Sequence, residues 1–145
     1  PGALAEASEL LVAAVEDVFA GWVRDRMLAV APAFGPLASE VGERCAAALV
    51  PRLRALVAED VDRQRTTPLQ LVRDVMAAPT AALAAAGVPP PRRDPGQVEI
   101  DPGDVYDLGP LRWSDLGEAV GDAALVWGAA KAMAHLDRHR DEIDP

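Results

Sequence analysis

The chain has 145 residues, 29 of them alanine; half are hydrophobic, 4% are aromatic, and the formal net charge is −9. A single cysteine, Cys45, excludes an internal disulfide and a cysteine-rich zinc fold, and 23 acidic against 14 basic residues argue against an extended basic surface for nucleic acid. No apolar run reaches the roughly 18 residues of a membrane span and no basic-then-apolar leader is visible, so the expectation is one soluble cytoplasmic domain that buries a core without staples.

From Ala3 to about Val30, the apolar residues Leu4, Leu11, Val15, Val18 and Trp22 recur at helical spacings, with Glu9, Glu16, Asp17, Arg24 and Asp25 opposite them. This predicts a long amphipathic helix over about 3–30. Ala31-Pro32-Ala33-Phe34-Gly35-Pro36 ends it, because proline drives its preceding residue out of the helical region. A second helix is predicted over about 37–59, with Val41, Cys45, Leu49 and Leu53 or Leu56 facing inward. Pro51 removes one intrahelical hydrogen bond, so a kink or a fresh start is expected there.

Thr67-Pro68-Leu69-Gln70 is a helix start, with Thr67 as N-cap, Pro68 in the first helical position and Gln70 closing a capping box. The third helix is predicted over about 68–86, interrupted at Pro79-Thr80 and stopped by Gly87. Composition then changes: residues 88–121 contain Pro89-Pro90-Pro91, Pro95-Gly96, Pro102-Gly103 and Gly109-Pro110, with ten charged residues of which seven are acidic. Val98, Ile100, Val105, Tyr106, Leu108 and Leu111 give this stretch apolar anchors, so it reads as an ordered strap across the helices; the alternative is a partly disordered excursion.

Ser114 and Asp122 suit the N-caps of a short helix and of a last long one over about 122–139. There Leu125, Ala129, Met133 and Leu136 share one face, while Ala123, Trp127, Ala130 and Ala134 make the other sides apolar too. Only Lys131 interrupts the middle, which predicts a helix at the bundle centre, with Ala124, Gly128 and Ala132 permitting close approach. The tail from Asp141 to Pro145 reads as exposed. The predicted fold is all-α, a bundle of four to six helices with a long proline-rich ordered loop.

The residues that carry chemistry are few. His135 and His139 stand four apart, a spacing that puts two imidazoles on one helix face, but no glutamate follows the first as a metalloprotease motif requires. They are weak metal candidates, and no cofactor is expected. Cys45 belongs to an apolar stripe and reads as core packing. Glu99, Asp101, Asp104 and Asp107 do not match a calcium loop, and turn chemistry explains Asp101-Pro102-Gly103-Asp104. Arg63, Arg65, Arg92 and Arg93 flank the third helix, where Asp60, Asp62 or Asp94 are at hand as partners. Lys131, the only lysine, is expected to reach a carboxylate and pin the strap to the last helix, with Tyr106 and Asp107 as candidate neighbours.

The stretches Pro51-Arg52-Leu53-Arg54, Asp60-Val61-Asp62, Gln64-Arg65-Thr66, Pro79-Thr80, Ala86-Gly87-Val88-Pro89-Pro90, Asp104-Val105-Tyr106-Asp107-Leu108 and Trp127-Gly128-Ala129-Ala130-Lys131-Ala132 resemble a family of small helical proteins of unknown function from high-GC Gram-positive (actinobacterial) bacteria. The resemblance covers residues 51–138 and implies a bacterial cytoplasmic setting; it implies no mechanism.

Two functions from different classes fit the sequence. The first is a non-enzymatic interaction or regulatory protein with a protein partner, self-associating as a homodimer through the long first helix or its neighbour, without nucleic acid or membrane. The second is a small-ligand binder or enzyme with a site under the strap formed by Asp62, Arg65, Tyr106, Asp107 and Lys131. No phosphate-cradling glycine loop, nucleophile elbow or dinucleotide fingerprint supports a particular reaction.

Overall fold

The computed structural model describes residues 2–92, 105–109, 113–116, 129, 131–134 and 136–143. They are mostly helical, with no strand among the described residues. Helix α1 spans Gly2–Val30, α2 Gly35–Ala58, α3 Pro68–Val75 and α4 Ala77–Ala85; 3-10 turns occupy Pro32–Phe34, Val61–Arg63 and Trp113–Leu116. Residues 131–134 and 136–138 are helical, and α5 spans Arg140–Ile143. None of the described helices is long and apolar enough to cross a membrane.

Helices α1 and α2 form an antiparallel hairpin, which brings Ala20 beside Gly42 at its middle and Glu9 beside Arg54 at its open end. The turn is tight. Ala31, before Pro32, leaves the helical region with φ −141° and ψ 80°, and α2 restarts at Gly35 with Pro36 in its first turn.

The buried face of α1 is Leu11, Val12, Val15, Phe19, Val23 and Met27, and that of α2 is Ala38, Val41, Gly42, Cys45, Leu49, Leu53 and Leu56. Both stripes follow the i, i+4 row that interdigitates in helix pairs. Each large side chain among them contributes about 1.5–3 kcal/mol of transfer free energy. Every inward position predicted for α2 is buried. On α1 the stripe is rotated from the predicted one: Phe19, Val12, Val23 and Met27 join the core, while Val18 and Trp22 pack at its edge. Trp22 stacks against Phe19 with ring centroids 6.2 Å apart and carries the Arg26 guanidinium 5.3 Å above its ring.

Gly42 sets how closely the hairpin closes. A Cβ at this position would lie 2.4 Å from the backbone oxygen of Ala20, inside any permitted contact. Of the kink or fresh start expected at Pro51, the fresh start does not occur: α2 runs through it to Ala58.

Thr67 caps α3 as predicted, its hydroxyl accepting the Gln70 amide at 3.1 Å, with Pro68 in the first helical position. The interruption expected at Pro79-Thr80 falls three residues earlier, at Met76. This placement puts Pro79 in the first turn of α4, where a missing N–H costs little. Pro79 has no N–H to offer the carbonyl four residues before it, that of Val75; the Cys45 thiol donates to it at 3.9 Å. Helix α4 ends in a Schellman arrangement, with Gly87 at φ +81°, its amide on the Ala84 carbonyl and the Val88 amide on that of Leu83.

Of the predicted strap anchors, Tyr106 and Leu108 are buried in the core and Val105 packs on its edge; Leu116 is buried as well. Val98, Ile100 and Leu111 lie outside the described residues.

Candidate functional site

The charges that sequence reasoning left scattered converge where α2 ends. A helix C-terminus exposes carbonyl oxygens without intrahelical donors and carries partial negative charge. Here the residues that follow α2 turn back on it. The Asp60 side chain accepts the Asp62 amide at 3.0 Å, the Arg63 and Gln64 amides bond the Asp60 carbonyl, and the Gln64 side-chain amide donates to the Leu56 carbonyl.

The segment 131–139 closes over this turn with its charged face. Lys131, only 8% exposed, donates from Nζ to the Glu59 carbonyl at 3.3 Å, a cation placed on the negative end of α2. Seven residues on, Arg138 donates to the Asp60 carboxylate and lies 3.5 Å from the Asp62 carboxylate. His139 stands between Asp62, at 3.4 Å from Nε2, and Glu142, at 3.1 Å from Nδ1.

The electrostatics follow from these contacts. Asp60 is held below the usual carboxylate range, first by the Asp62 N–H and then by Arg138. His139 is raised by its bonds to Asp62 and Glu142, and Arg138 is raised by Asp60. Burial lowers Lys131, assisted by Arg138 and opposed by Asp60 and Glu59. One of the Lys131 N–H groups is given to a backbone carbonyl, which anchors the segment to the end of α2.

The opposite face of the segment is apolar and faces out. At 100° per residue, Ala129, Met133 and Leu136 lie about 140–160° from Lys131. Met133 is 60% exposed and Leu136 55%, and Ala129 and Ala132 are exposed as well. At Ala129, Met133 and Leu136 this overturns the expectation of a central helix covered on most sides; Ala123, Ala124, Leu125, Trp127, Gly128 and Ala130 lie outside the described residues. Among its described residues the segment gives its cations to the end of α2, where carbonyls and carboxylates accept them, and leaves Met133 and Leu136 exposed.

The five residues proposed from sequence for a ligand site have different places. Asp62 and Lys131 reach the same turn. Tyr106 is buried with its hydroxyl on the Val88 carbonyl at 2.8 Å, Asp107 is an exposed turn residue with φ 55°, and Arg65 is exposed. Of the carboxylates expected as partners for Arg63 and Arg65, Asp60 and Asp62 hold Arg138, and the Arg63 charge also helps to lower Asp60. His135 lies outside the described residues, as do Glu99, Asp101 and Asp104. Among the described residues no group of three or more His, Cys, Asp or Glu is arranged to hold a metal ion. Cys45 is buried, and burial pushes its thiol up to about 11, the wrong direction for a nucleophile.

Sequence reasoning missed Arg138, Glu59 and Asp60 as members of this cluster. Their partners are more than 70 positions apart in the chain, so no local spacing links them. Beside the cluster, an open groove of about 440 Å³ runs along the last turns of α2, lined by Arg52, Ala55, Leu56, Glu59, Thr66 and Leu71. No family model, curated protein or solved structure matches the chain.

Proposed function

We propose that the chain is a non-enzymatic protein-interaction module that engages its partner through the outward apolar face of residues 129–136. One observation carries this reading: Met133 and Leu136 stand 60% and 55% exposed on a segment whose lysine is buried. Covering what remains exposed of these two side chains yields about 1–2 kcal/mol for each, roughly half of a full transfer. The charged face is already committed to the end of α2, so the apolar face is the one left for another molecule.

This keeps the interaction role expected from sequence and moves its surface. Helix α1, which with its neighbour is the surface expected for self-association, buries its stripe from Leu11 to Met27 against α2 and leaves Leu10 51% exposed beside Glu9, which pairs with Arg54 at 3.2 Å. The setting is the bacterial cytoplasm that the family resemblance implies. Chemical cross-linking in cells, with wild type beside a Met133→Glu/Leu136→Glu double variant, tests the reading. Wild type is expected to enter a larger species that the double variant loses while keeping its helical circular dichroism; the same species in both would overturn it.

A further inference from the structure

The described residues from 131 to 143 lie against the folded helices, yet none of them supplies a side chain to the hydrophobic core, whose last described member in chain order is Leu116. Polar and ionic bonds cross the boundary instead. Lys131 donates to the Glu59 carbonyl at 3.3 Å, Arg138 pairs with Asp60 and Asp62, and His139 meets Asp62 at 3.4 Å. The side chains of Arg138, Asp60 and Asp62 are 42%, 47% and 43% exposed, so dissolved ions reach these pairs. Charge is opposed across the boundary: Glu59, Asp60 and Asp62 stand at the negative end of α2, and the segment brings Lys131 and Arg138 to them.

We infer that residues 131–143 form a clasp that rising ionic strength opens while α1 to α4 stay folded. Salt shortens the reach of exposed charges, from about 10 Å at 0.1 M to about 3 Å at 1 M. The apolar contacts between α1 and α2 are not weakened by the same change. The two parts of the chain therefore answer salt differently, and a region with few buried apolar contacts is the one that opens locally. Opening has two consequences at once. It frees the acidic turn Glu59 to Asp62 at the end of α2, and it exposes Lys131, the only lysine, which is 8% exposed while the clasp is shut. The device holds whatever molecule covers Met133 and Leu136, so it stands apart from the interaction reading.

The single lysine makes the test direct. The purified full chain is labelled with an uncharged amine reagent in about 0.05 M and about 1 M sodium chloride, the range over which screening becomes strong. Incorporation at residue 131 is read by peptide mass spectrometry, with free lysine in the same sample correcting for any effect of salt on the reagent. Thiol labelling of buried Cys45 reports whether the core has opened. At high salt Lys131 is expected to label roughly tenfold faster, the combined effect of two or three exposed pairs, while Cys45 stays protected. Arg138→Ala removes the contacts to Asp60 and Asp62 and is expected to give the faster rate already at low salt, whereas Arg138→Lys restores most of the protection. Arg24→Ala, which loses only the exposed pair with Asp25 on α1, is expected to behave as wild type. A Lys131 rate that ignores salt, that ignores Arg138→Ala, or that rises only together with Cys45 overturns the inference.

Discussion

Replacing Gly42 with alanine tests the packing that positions everything else. Its Cβ would sit 2.4 Å from the Ala20 oxygen and 3.3 Å from the Ala20 carbonyl carbon, and both are backbone atoms of α1 that cannot swing aside. Relief requires the two helices to separate by about an ångström, which loosens the contacts of Phe19, Val23, Ala38 and Cys45 around the crossing. Overpacking of this kind costs about 1–3 kcal/mol, and the rigid obstacle places it near the upper end. Alanine returns about 1 kcal/mol through its better helix propensity, so the net loss is about 2 kcal/mol. For a chain of this size that lowers Tm by about 6–8 °C. Gly21 is the internal control. Its Cβ would meet only the Arg24 side chain, at 3.7 Å, so Gly21→Ala gains the propensity term alone, about 1 kcal/mol. Urea unfolding followed by circular dichroism measures both. A Gly42→Ala chain as stable as wild type, or ranked above Gly21→Ala, would refute the close-approach account.

Three further outcomes are expected. The clasp on residues 59–62 depends on pH in two directions: the depressed Asp60 holds Arg138 fully above about pH 4 and lets go as pH falls through its lowered value, while the raised His139 holds fully below about pH 6.5 and lets go as pH rises through its raised value. Hydrogen-exchange protection of residues 136–138 is therefore greatest between about pH 4 and 6.5, and protection that climbs steadily to pH 9 would contradict the pairing. Thr67→Ala removes the acceptor of the Gln70 amide and costs about 1 kcal/mol in urea unfolding, whereas Thr67→Ser is close to neutral. The Cys45 thiol, buried and pushed up to about 11, reacts with a thiol reagent only in denaturant; rapid labelling of the native chain would place it wrongly in the core.

The contrast between α2 and the C-terminal segment explains what the sequence made legible. On α2 the large residues Val41, Cys45, Leu49 and Leu53 recur every four residues, with Glu40, Glu43, Arg44, Arg52 and Arg54 off that stripe, so the direction of the buried face is readable. The Thr67 cap and the Gly87 stop are likewise local signals, each satisfied within a few residues. On α1 the apolar residues form a wide stripe, and periodicity alone does not say whether Val18 and Trp22 or Val12 and Phe19 lie at its centre. In the last segment nearly every side is apolar, and pattern predicts burial of all of them. What decides its orientation is the end of α2, whose carbonyls and carboxylates claim Lys131 and Arg138 from far along the chain. Gly42 is illegible for the same reason, since its partner Ala20 is distant in sequence and adjacent only once the hairpin closes.

The central claim is that the C-terminal segment turns its charges inward, onto the end of α2, and the apolar side chains of Met133 and Leu136 outward. The alkylation rate of a Met133→Cys variant at high dilution, with buried Cys45 as the slow internal reference, tests it most directly. The account predicts fast labelling at position 133 in the native chain while Cys45 stays protected. Labelling at position 133 as slow as that of Cys45 would contradict the outward face.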